Sequence, residues 1–430
     1  MNYLNLKRIE QVLAFLVLIF PLVLVLRNLA ININLILITI ISIFYLLKKP
    51  NYLLLKDFLI RYLLFFLLII FINSLLNSQD FLTAIKSLGN LRYLFLTIAV
   101  YVTLSIISEK SFNIFIYLNS LLIIFISLDI LYQFNFNENI FGFSPGMCTK
   151  DENCVRFSGI FGSELIGGTY LVQIGLLILI LLKNKSPEVI KFQQIISNIL
   201  IMFLLIVVLL TGERNAFLIF IISIFLLYFF NKKIVSLLVP AFVFFLIFFL
   251  VFQNSYSIKI RYMDFISHIT ALPNEKSFKT KITNTPWSYH YQAAFELFLE
   301  KPVLGHGYKS FRVKCLKTKI DKKLVENSVK YKGYRACSSH PHNYMMEFLS
   351  ENGLIGFLLY FGLITLIILR VSGLVRTSKD QNRLIGIGIG SLLLAILFPF
   401  KPSGSFFTTF NSSILFYLLG FFIFYTRQNK

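Results

Sequence analysis

Apolar runs long enough to cross a bilayer recur along this chain, and their recurrence limits the fold before any motif is read. They fall at about 10–29, 30–47, 58–76, 88–107, 113–132, 159–182, 194–211, 214–231, 234–252, 343–369, 384–400 and 406–426. A helix needs ~20 apolar residues to span the hydrocarbon core. Inside lipid, only helices and closed barrels satisfy every backbone polar group. The pattern predicts an all-α polytopic membrane protein with about twelve transmembrane helices. Composition agrees: 57% of residues are hydrophobic and 14% charged, whereas a soluble domain carries ~25% charged residues. The first run has no small-residue cleavage site, so it is read as a retained span rather than a signal peptide.

A formal net charge of +21 would suggest nucleic acid in a soluble protein. In a membrane protein it points instead to the positive-inside bias and to anionic lipid or phosphate ligands, with no nucleic-acid partner. Basic residues mark alternate connections: Lys7 and Arg8; Lys48, Lys49 and Lys56; Lys110; Lys183, Lys185 and Lys191; Lys232 and Lys233; Arg370, Arg376, Lys379 and Arg383; then Arg427 and Lys430. With an even number of spans these all share one face, and both termini are cytoplasmic. The opposite face receives 133–158, the turn near Gly212, the segment 253–342 and the turn near Pro402. The division expected is 1–252 for helices one to nine, 253–342 for a large outer loop, and 343–430 for helices ten to twelve.

That loop carries sixteen Lys/Arg against six Asp/Glu, which runs against positive-inside. Long loops translocate largely regardless of charge. Ala293, Ala294, Leu297 and Phe298 recur at helical spacing, and Pro302, Gly305 and Gly307 close the helix. No soluble domain is expected at either end, and there is no clear internal repeat.

All four cysteines, Cys148, Cys154, Cys315 and Cys337, fall in the two long outer segments. Four cysteines allow three connectivities. Pairing within each segment, 148–154 and 315–337, is the simplest, and an oxidising compartment would keep such bonds. Four free thiols are the alternative. CxxC spacing is absent, so no zinc site is expected.

The unusual polar residues meet on the same outer face. "TGERNA" at 211–216 sets Glu213 and Arg214 between two spans. Arg214 either snorkels to the headgroups or clamps a phosphate with its planar guanidinium. "RFSGIFGSELIGGTYL" at 156–171 sets Arg156 before a glycine-rich stretch with Glu164 inside it. A carboxylate at the bilayer centre costs ~3 kcal/mol, so Glu164 must face protein or a wet cavity. Arg156 and Glu164 are either site residues or a buried pair, and the glycines read as helix packing.

"HPHNYMMEFLSENGLIGF" at 340–357 places His340 and His342 around Pro341, with Asn343 as a helix N-cap. Glu347 and Glu351 follow one turn apart. The free N–H groups of a helix start favour an anion, and a neutral imidazole beside one can act as general base on a hydroxyl. The two histidines lack the i,i+4 spacing of a helical metal site, so no metal is expected. They could also be plain loop histidines at the headgroups. "FPFKPSGSFF" at 398–407 is a polar break, either a simple turn or a source of positive charge through Lys401.

"EKPVLGHGYKSF", followed after a basic stretch by "HPHNYMMEFLSENGLIGF", resembles the core signature of the O-antigen ligase / O-antigen polymerase family of bacterial membrane proteins. "TGERNA" is similar to that family's arginine turn, and "RFSGIFGSELIGG" to an upstream segment of one branch. The resemblance covers most of the chain from about residue 155. It implies a glycosyltransferase of the bacterial inner membrane, multi-pass, with a large periplasmic loop. Such an enzyme moves a glycan from undecaprenyl diphosphate to a hydroxyl, inverting the anomeric centre with no metal, nucleotide or other cofactor. The implied partners are the carrier-linked donor, lipid A–core or another glycan as acceptor, and membrane lipids.

Carried over residue by residue, the family's His-Asn pair falls on His342 and Asn343, with His342 as general base and His340 contacting substrate. Its arginine turn falls on Arg214, which would hold the diphosphate. The family also places an arginine shortly before the loop helix, but here that neighbourhood reads "TPWSYHYQAA". Arg261 and His290 are the nearest substitutes. Ligation to lipid A–core is the leading expectation. The alternatives are polymerisation of repeat units, transfer to a protein hydroxyl, and a transporter or flippase. The last predicts mid-span charges and inverted repeats, which the clustering on one face disfavours.

Overall fold

The computed structural model describes the chain except residues 1–2, 50–53, 55, 79, 149–153, 184–189, 233–237, 271–284, 328–332, 377–380 and 428–430. Of the basic residues used above for topology, Lys185, Lys233, Lys379 and Lys430 lie outside the described residues. The helices in chain order are α1 (Tyr3–Leu18), α2 (Phe20–Val25), α3 (Arg27–Lys48), α4 (Phe58–Asn77), α5 (Phe81–Leu88), α6 (Leu91–Ile106) and α7 (Glu109–Phe136). After the short hairpin β1 (Met147–Cys148) and β2 (Cys154–Arg156) comes α8 (Gly167–Leu182). Then follow α9 (Ile190–Leu210), α10 (Arg214–Phe230), α11 (Leu238–Asn254), α12 (Tyr256–Thr270), α13 (Pro286–Glu300), α14 (Phe311–Lys314), α15 (Lys319–Glu326), α16 (Tyr344–Arg376), α17 (Gln381–Ile396) and α18 (Thr409–Arg427).

The all-α membrane architecture holds, but the count of about twelve spans is not reached among the described residues. Six helices are long and apolar enough to cross a membrane, or seven if the pair Ala241–Asn254 and Tyr256–Met263, bent by 104°, is one span. The other apolar runs make shorter helices, Gly167–Leu182, Asn198–Leu210, Arg214–Phe230 and Gln381–Ile396. Local chemistry shortens them. Pro21 sits at the start of α2, so the first run is cut at Ile19, because a proline ring cannot continue the preceding ladder. The run from 159 begins as an irregular glycine-rich stretch, and α8 contains a π-helical turn over Leu171–Gly175.

α18 is the buried centre, with 83% of its apolar window inside the protein. It lies along α6, where Thr97 Oγ1 donates 2.8 Å to the Phe416 carbonyl. At one end of this pair α6 and α18 begin; at the other, Arg427 reaches the Tyr101 hydroxyl at 3.3 Å. Outward-facing apolar residues such as Leu118, Leu121 and Leu128 on α7 stay exposed, as lipid-facing residues do.

The segment after α12 has a core of its own: Tyr289, Ala293, Ala294 and Leu297 on α13 pack on Phe311, Cys315, Leu324 and Ala336. Two devices close it. Asp321, 1% exposed, accepts from Arg335 Nη2 at 2.7 Å and from the N–H groups of Ala336 and Cys337 at 2.9 and 3.1 Å. Burial alone would raise this carboxyl; Arg335 and the two amides outweigh it and hold the group below the usual carboxylate range. The second device is the disulfide Cys315–Cys337, joining residues 22 apart; Cys148–Cys154 closes the β1–β2 hairpin. Opening a loop of ~20 residues costs about 3 kcal/mol. Cys315→Ser with Cys337→Ser is therefore expected to make the 286–342 segment the first site of limited proteolysis in the full-length protein. Unchanged cleavage kinetics would remove the bond from the account of loop stability.

The loop is locked to the membrane helices at a break in α16. Gly353 has φ 61° and ψ −155°, which splits the helix into a short first segment before it and a long span after it. Leu354 N–H donates to Pro302 O at 2.8 Å, and Gly307 N–H to Glu351 O at 2.8 Å. A Cβ at 353 would stand 2.4 Å from Val303 O, so both the positive φ and the close approach require glycine.

Candidate functional site

The turn preceding α10 gathers three arginines. Thr211 Oγ1 accepts from Glu213 N–H at 3.2 Å, and Phe157 N–H donates to Thr211 O at 3.1 Å, so β2 pins the turn. Gly212 is left-handed, and a Cβ there would lie 2.2 Å from Val155 O. Arg261, on α12, donates from Nε to Gly212 O at 2.9 Å. Arg156, on β2, donates to Leu165 O at 3.3 Å and lies in electrostatic range of both Glu213 and Arg214. Glu213 is buried and accepts from Gly168 N at 2.8 Å and from Thr169 N and Oγ1 at 3.1 and 2.8 Å. Burial pushes its carboxyl up, while Arg156 and these donors oppose the shift. Three guanidinium groups thus surround a turn with one carboxylate, and that carboxylate is occupied in holding the start of α8.

The second cluster is a triad of imidazoles. His342 and His340 have ring centroids 4.2 Å apart, and His290 comes within 5.0 Å of His342 from α13. His290 Nδ1 lies 2.9 Å from Ala336 O. A carbonyl can only accept, so Nδ1 carries the proton and Nε2 the lone pair. Asn343 fulfils its N-cap role: Oδ1 accepts from Met346 N at 3.0 Å, while Nδ2 donates to Pro399 O and Lys401 O at 2.7 and 3.0 Å. His342 itself is left-handed, φ 56°, and its carbonyl accepts from Ser403 N–H at 2.9 Å. A non-glycine residue in this region stores of order 1–3 kcal/mol and persists only where its surroundings hold it; the 399–403 turn does so here. Burial first, then the neighbouring His340 and His290, bring the His342 imidazole down to about 4. His340 is likewise pulled down to about 4, by burial and then His290. Both are neutral at pH 7.

One helix joins the two clusters. Arg214 Cζ sits 5.3 Å from the centre of the Trp287 ring, a cation–π distance, and Trp287 is one turn before His290 on α13. Three residues of helix rise ~4.5 Å. The arginine turn and the imidazole cluster therefore abut the same short stretch of α13.

The other expected site residues are placed differently. Lys401 is 2% exposed, with Nζ 4.9 Å from the Tyr344 ring centre; burial lowers its ammonium to about 7, so it is a packed side chain, not an open phosphate contact. Glu164 is not embedded in a span. It lies in the irregular stretch before α8 and lines a cavity of about 600 Å³, which removes the lipid-burial argument made for it. His290 takes no arginine's place at the phosphate end; it belongs to the imidazole cluster, and Arg261 is the arginine beside Arg214. Glu347 and Glu351 are fastenings: Glu347 accepts from Phe406 N at 2.8 Å and Glu351 from Lys309 N at 2.8 Å. Trp287 was not foreseen; a lone tryptophan three residues before a loop histidine was its only signal.

Residues 199–361 match the family model described as O-antigen ligase. The chain is similar to that family over this stretch, which is less than half of its 430 residues. The matched stretch holds Arg214, Arg261, Trp287, His290, His340, His342 and Asn343, so both clusters, Arg156 apart, belong to it. No curated protein matches the chain. Among solved structures, a chain from a study of a peptidoglycan synthase complex aligns over 86% of this chain and 97% of its own, at 13% identity and TM-score 0.46.

Proposed function

We propose that this protein is a glycan transferase of the O-antigen ligase type, moving a polysaccharide from undecaprenyl diphosphate to a hydroxyl of lipid A–core. The reaction would run at the periplasmic face of the bacterial inner membrane, with residues 253–342 exported and both termini cytoplasmic. The observation that carries the reading is the meeting of Arg214 and His342 on one turn of α13, through Trp287 and His290. Glycosyl transfer from a lipid diphosphate needs a cationic pocket for the leaving group and a base for the acceptor. These two clusters have those chemistries.

In this scheme neutral His342 takes the proton of the acceptor hydroxyl. The hydroxyl oxygen attacks the anomeric carbon from the side opposite the carrier, so the centre inverts. The bond from anomeric carbon to phosphate oxygen breaks, and its electron pair leaves with undecaprenyl diphosphate. Arg214, with Arg156 and Arg261 beside it, stabilises that charge. No metal enters the scheme, so transfer is expected to persist in chelator; loss restored by a divalent ion would overturn this part.

The base must be unprotonated. Activity is therefore full above the His342 pKa and is lost as pH falls through it. Because burial and two imidazoles depress that pKa, the acid limb of kcat/KM for the free enzyme is expected well below pH 6.5. A limb at or above 6.5 that vanishes in His340→Gln, with His342 intact, would reassign the base.

A deletion strain tests the reaction itself. Undecorated core with long polymer accumulating on its carrier supports ligation. Core bearing a single repeat unit means that the same clusters serve polymerisation.

A further inference from the structure

Where α6 and α18 begin lies the cavity of about 600 Å³ that Glu164 lines; Glu164 and Ile166 of its wall flank Leu165, whose carbonyl accepts from Arg156. Its polar wall is strongly one-sided. Lys86, Arg92 and Lys309 contribute three cations, and Glu164 is the one acid among the lining residues. Asn90 is 4% exposed, and its side chain hydrogen-bonds the Tyr308 hydroxyl of the same wall. Arg92 Nε is buried and has no hydrogen-bond partner among the described residues. A buried donor left unpaired costs of order 1–3 kcal/mol, and Arg92 belongs to the cavity wall. The helix starts add to the same field: Asn90 precedes α6 and makes no side-chain cap, and Thr408 and Thr409 of the cavity wall open α18. The positive ends of their dipoles favour negative charge.

The cations are also held against each other. Lys309 is left-handed, φ 53°, with its N–H fixed by Glu351, which ties it to the fold at this point. Burial lowers its ammonium, the charges of Arg312 and Arg92 push the same way, and Glu351 and Glu347 oppose them. An anion between Lys309 and Arg92 would relieve that repulsion. Aromatic contacts run from this cavity towards the imidazoles: Tyr308 to Phe407 at 5.7 Å, Phe407 to Phe406 at 4.8 Å, and Phe406 to Tyr344, two residues after His342, at 5.2 Å.

We infer that this cavity is a second anion site, built to hold the phosphate group of a lipid headgroup apart from the arginine turn. It is read by binding, so it stands or falls separately from the transfer reaction. The experiment is native mass spectrometry of the full-length protein released from micelles. The probes are phosphatidic acid, diacylglycerol with the same acyl chains, and inorganic phosphate. Phosphatidic acid is expected to bind at least ~10-fold more tightly than diacylglycerol. Arg92→Gln with Lys309→Gln should erase that preference, while Arg214→Gln keeps it. Lys86 is exposed, so Lys86→Gln folds normally and should lower the preference by about 3-fold, guarding against a double variant that fails to fold. Competition by inorganic phosphate would assign the site to soluble phosphate, and its failure to compete would assign it to the headgroup; both support phosphate chemistry. Equal binding of the two lipids, or a preference that survives in both the double and the Lys86 variants, overturns the inference.

Discussion

Replacing His342 by alanine is expected to reduce glycan transfer ~10²- to 10⁴-fold, the usual worth of a positioned general base, with normal protein level in the membrane. The backbone complicates the choice of variant, because His342 is left-handed at φ 56°. Alanine removes the imidazole and also strains the turn. Asparagine tolerates this region better and isolates the chemistry, so His342→Asn should fold like the parent and still lose transfer. The loss should fall on kcat, since proton removal belongs to the transition state. His340→Ala and His290→Ala should cost less, because on this reading they shape the surroundings of the base. Transfer by His342→Asn at parental rate would remove His342 from the mechanism.

The second large effect is expected at Arg214. Arg214→Ala should cost ~10²- to 10³-fold in kcat, as removal of an oxyanion donor does. Arg214→Lys should recover only a small part, since an ammonium has neither the planar fork for a diphosphate nor the same stacking on an indole. Arg261→Lys should be milder, because Arg261 already spends Nε on Gly212 O at 2.9 Å. Trp287→Leu separates placement from charge. If the indole only positions the guanidinium, this variant lowers kcat while Arg214 keeps its leaving-group dependence: a better leaving group rescues Trp287→Leu and Arg214→Ala in parallel. Rescue of neither would mean that the arginine does not meet leaving-group charge.

Much of this was legible in the amino-acid sequence, for local reasons. Asn343 and the apolar run after it announce a helix start, and Asn343 does cap α16. The spacing of Ala293, Ala294 and Leu297 marks α13 because one helical face must pack. What escaped was set by distant contacts. The position of Gly353 looked like helix interior, and only Val303 O pressed against it shows why the helix breaks there. Glu347 and Glu351 read as a pair one turn apart on one face, yet they fasten two different loops, Glu347 through the Ser405 hydroxyl and Phe406 N–H and Glu351 through the N–H groups of Lys309 and Phe311. Glu164 read as a charge within a span, because an apolar run does not reveal that its first turns are irregular. Twelve runs predicted twelve spans, but run length does not register Pro21 or the bend after Asn254.

The single turn of α13 between Trp287 and His290 sets a gauge. Helical pitch is stiff, so the interval between the arginine pole and the imidazole pole, proposed to receive the departing phosphate and to activate the incoming hydroxyl, is ruled by three peptide units rather than by loop slack. Lengthening α13 by one residue between them would swing the histidine ~100° around the axis and put the two half-reactions out of phase, while each cluster stayed chemically whole. An enzyme tuned this way would tolerate varied sugars, since neither pole reads the sugar's identity, but only one geometry of exchange at the anomeric carbon.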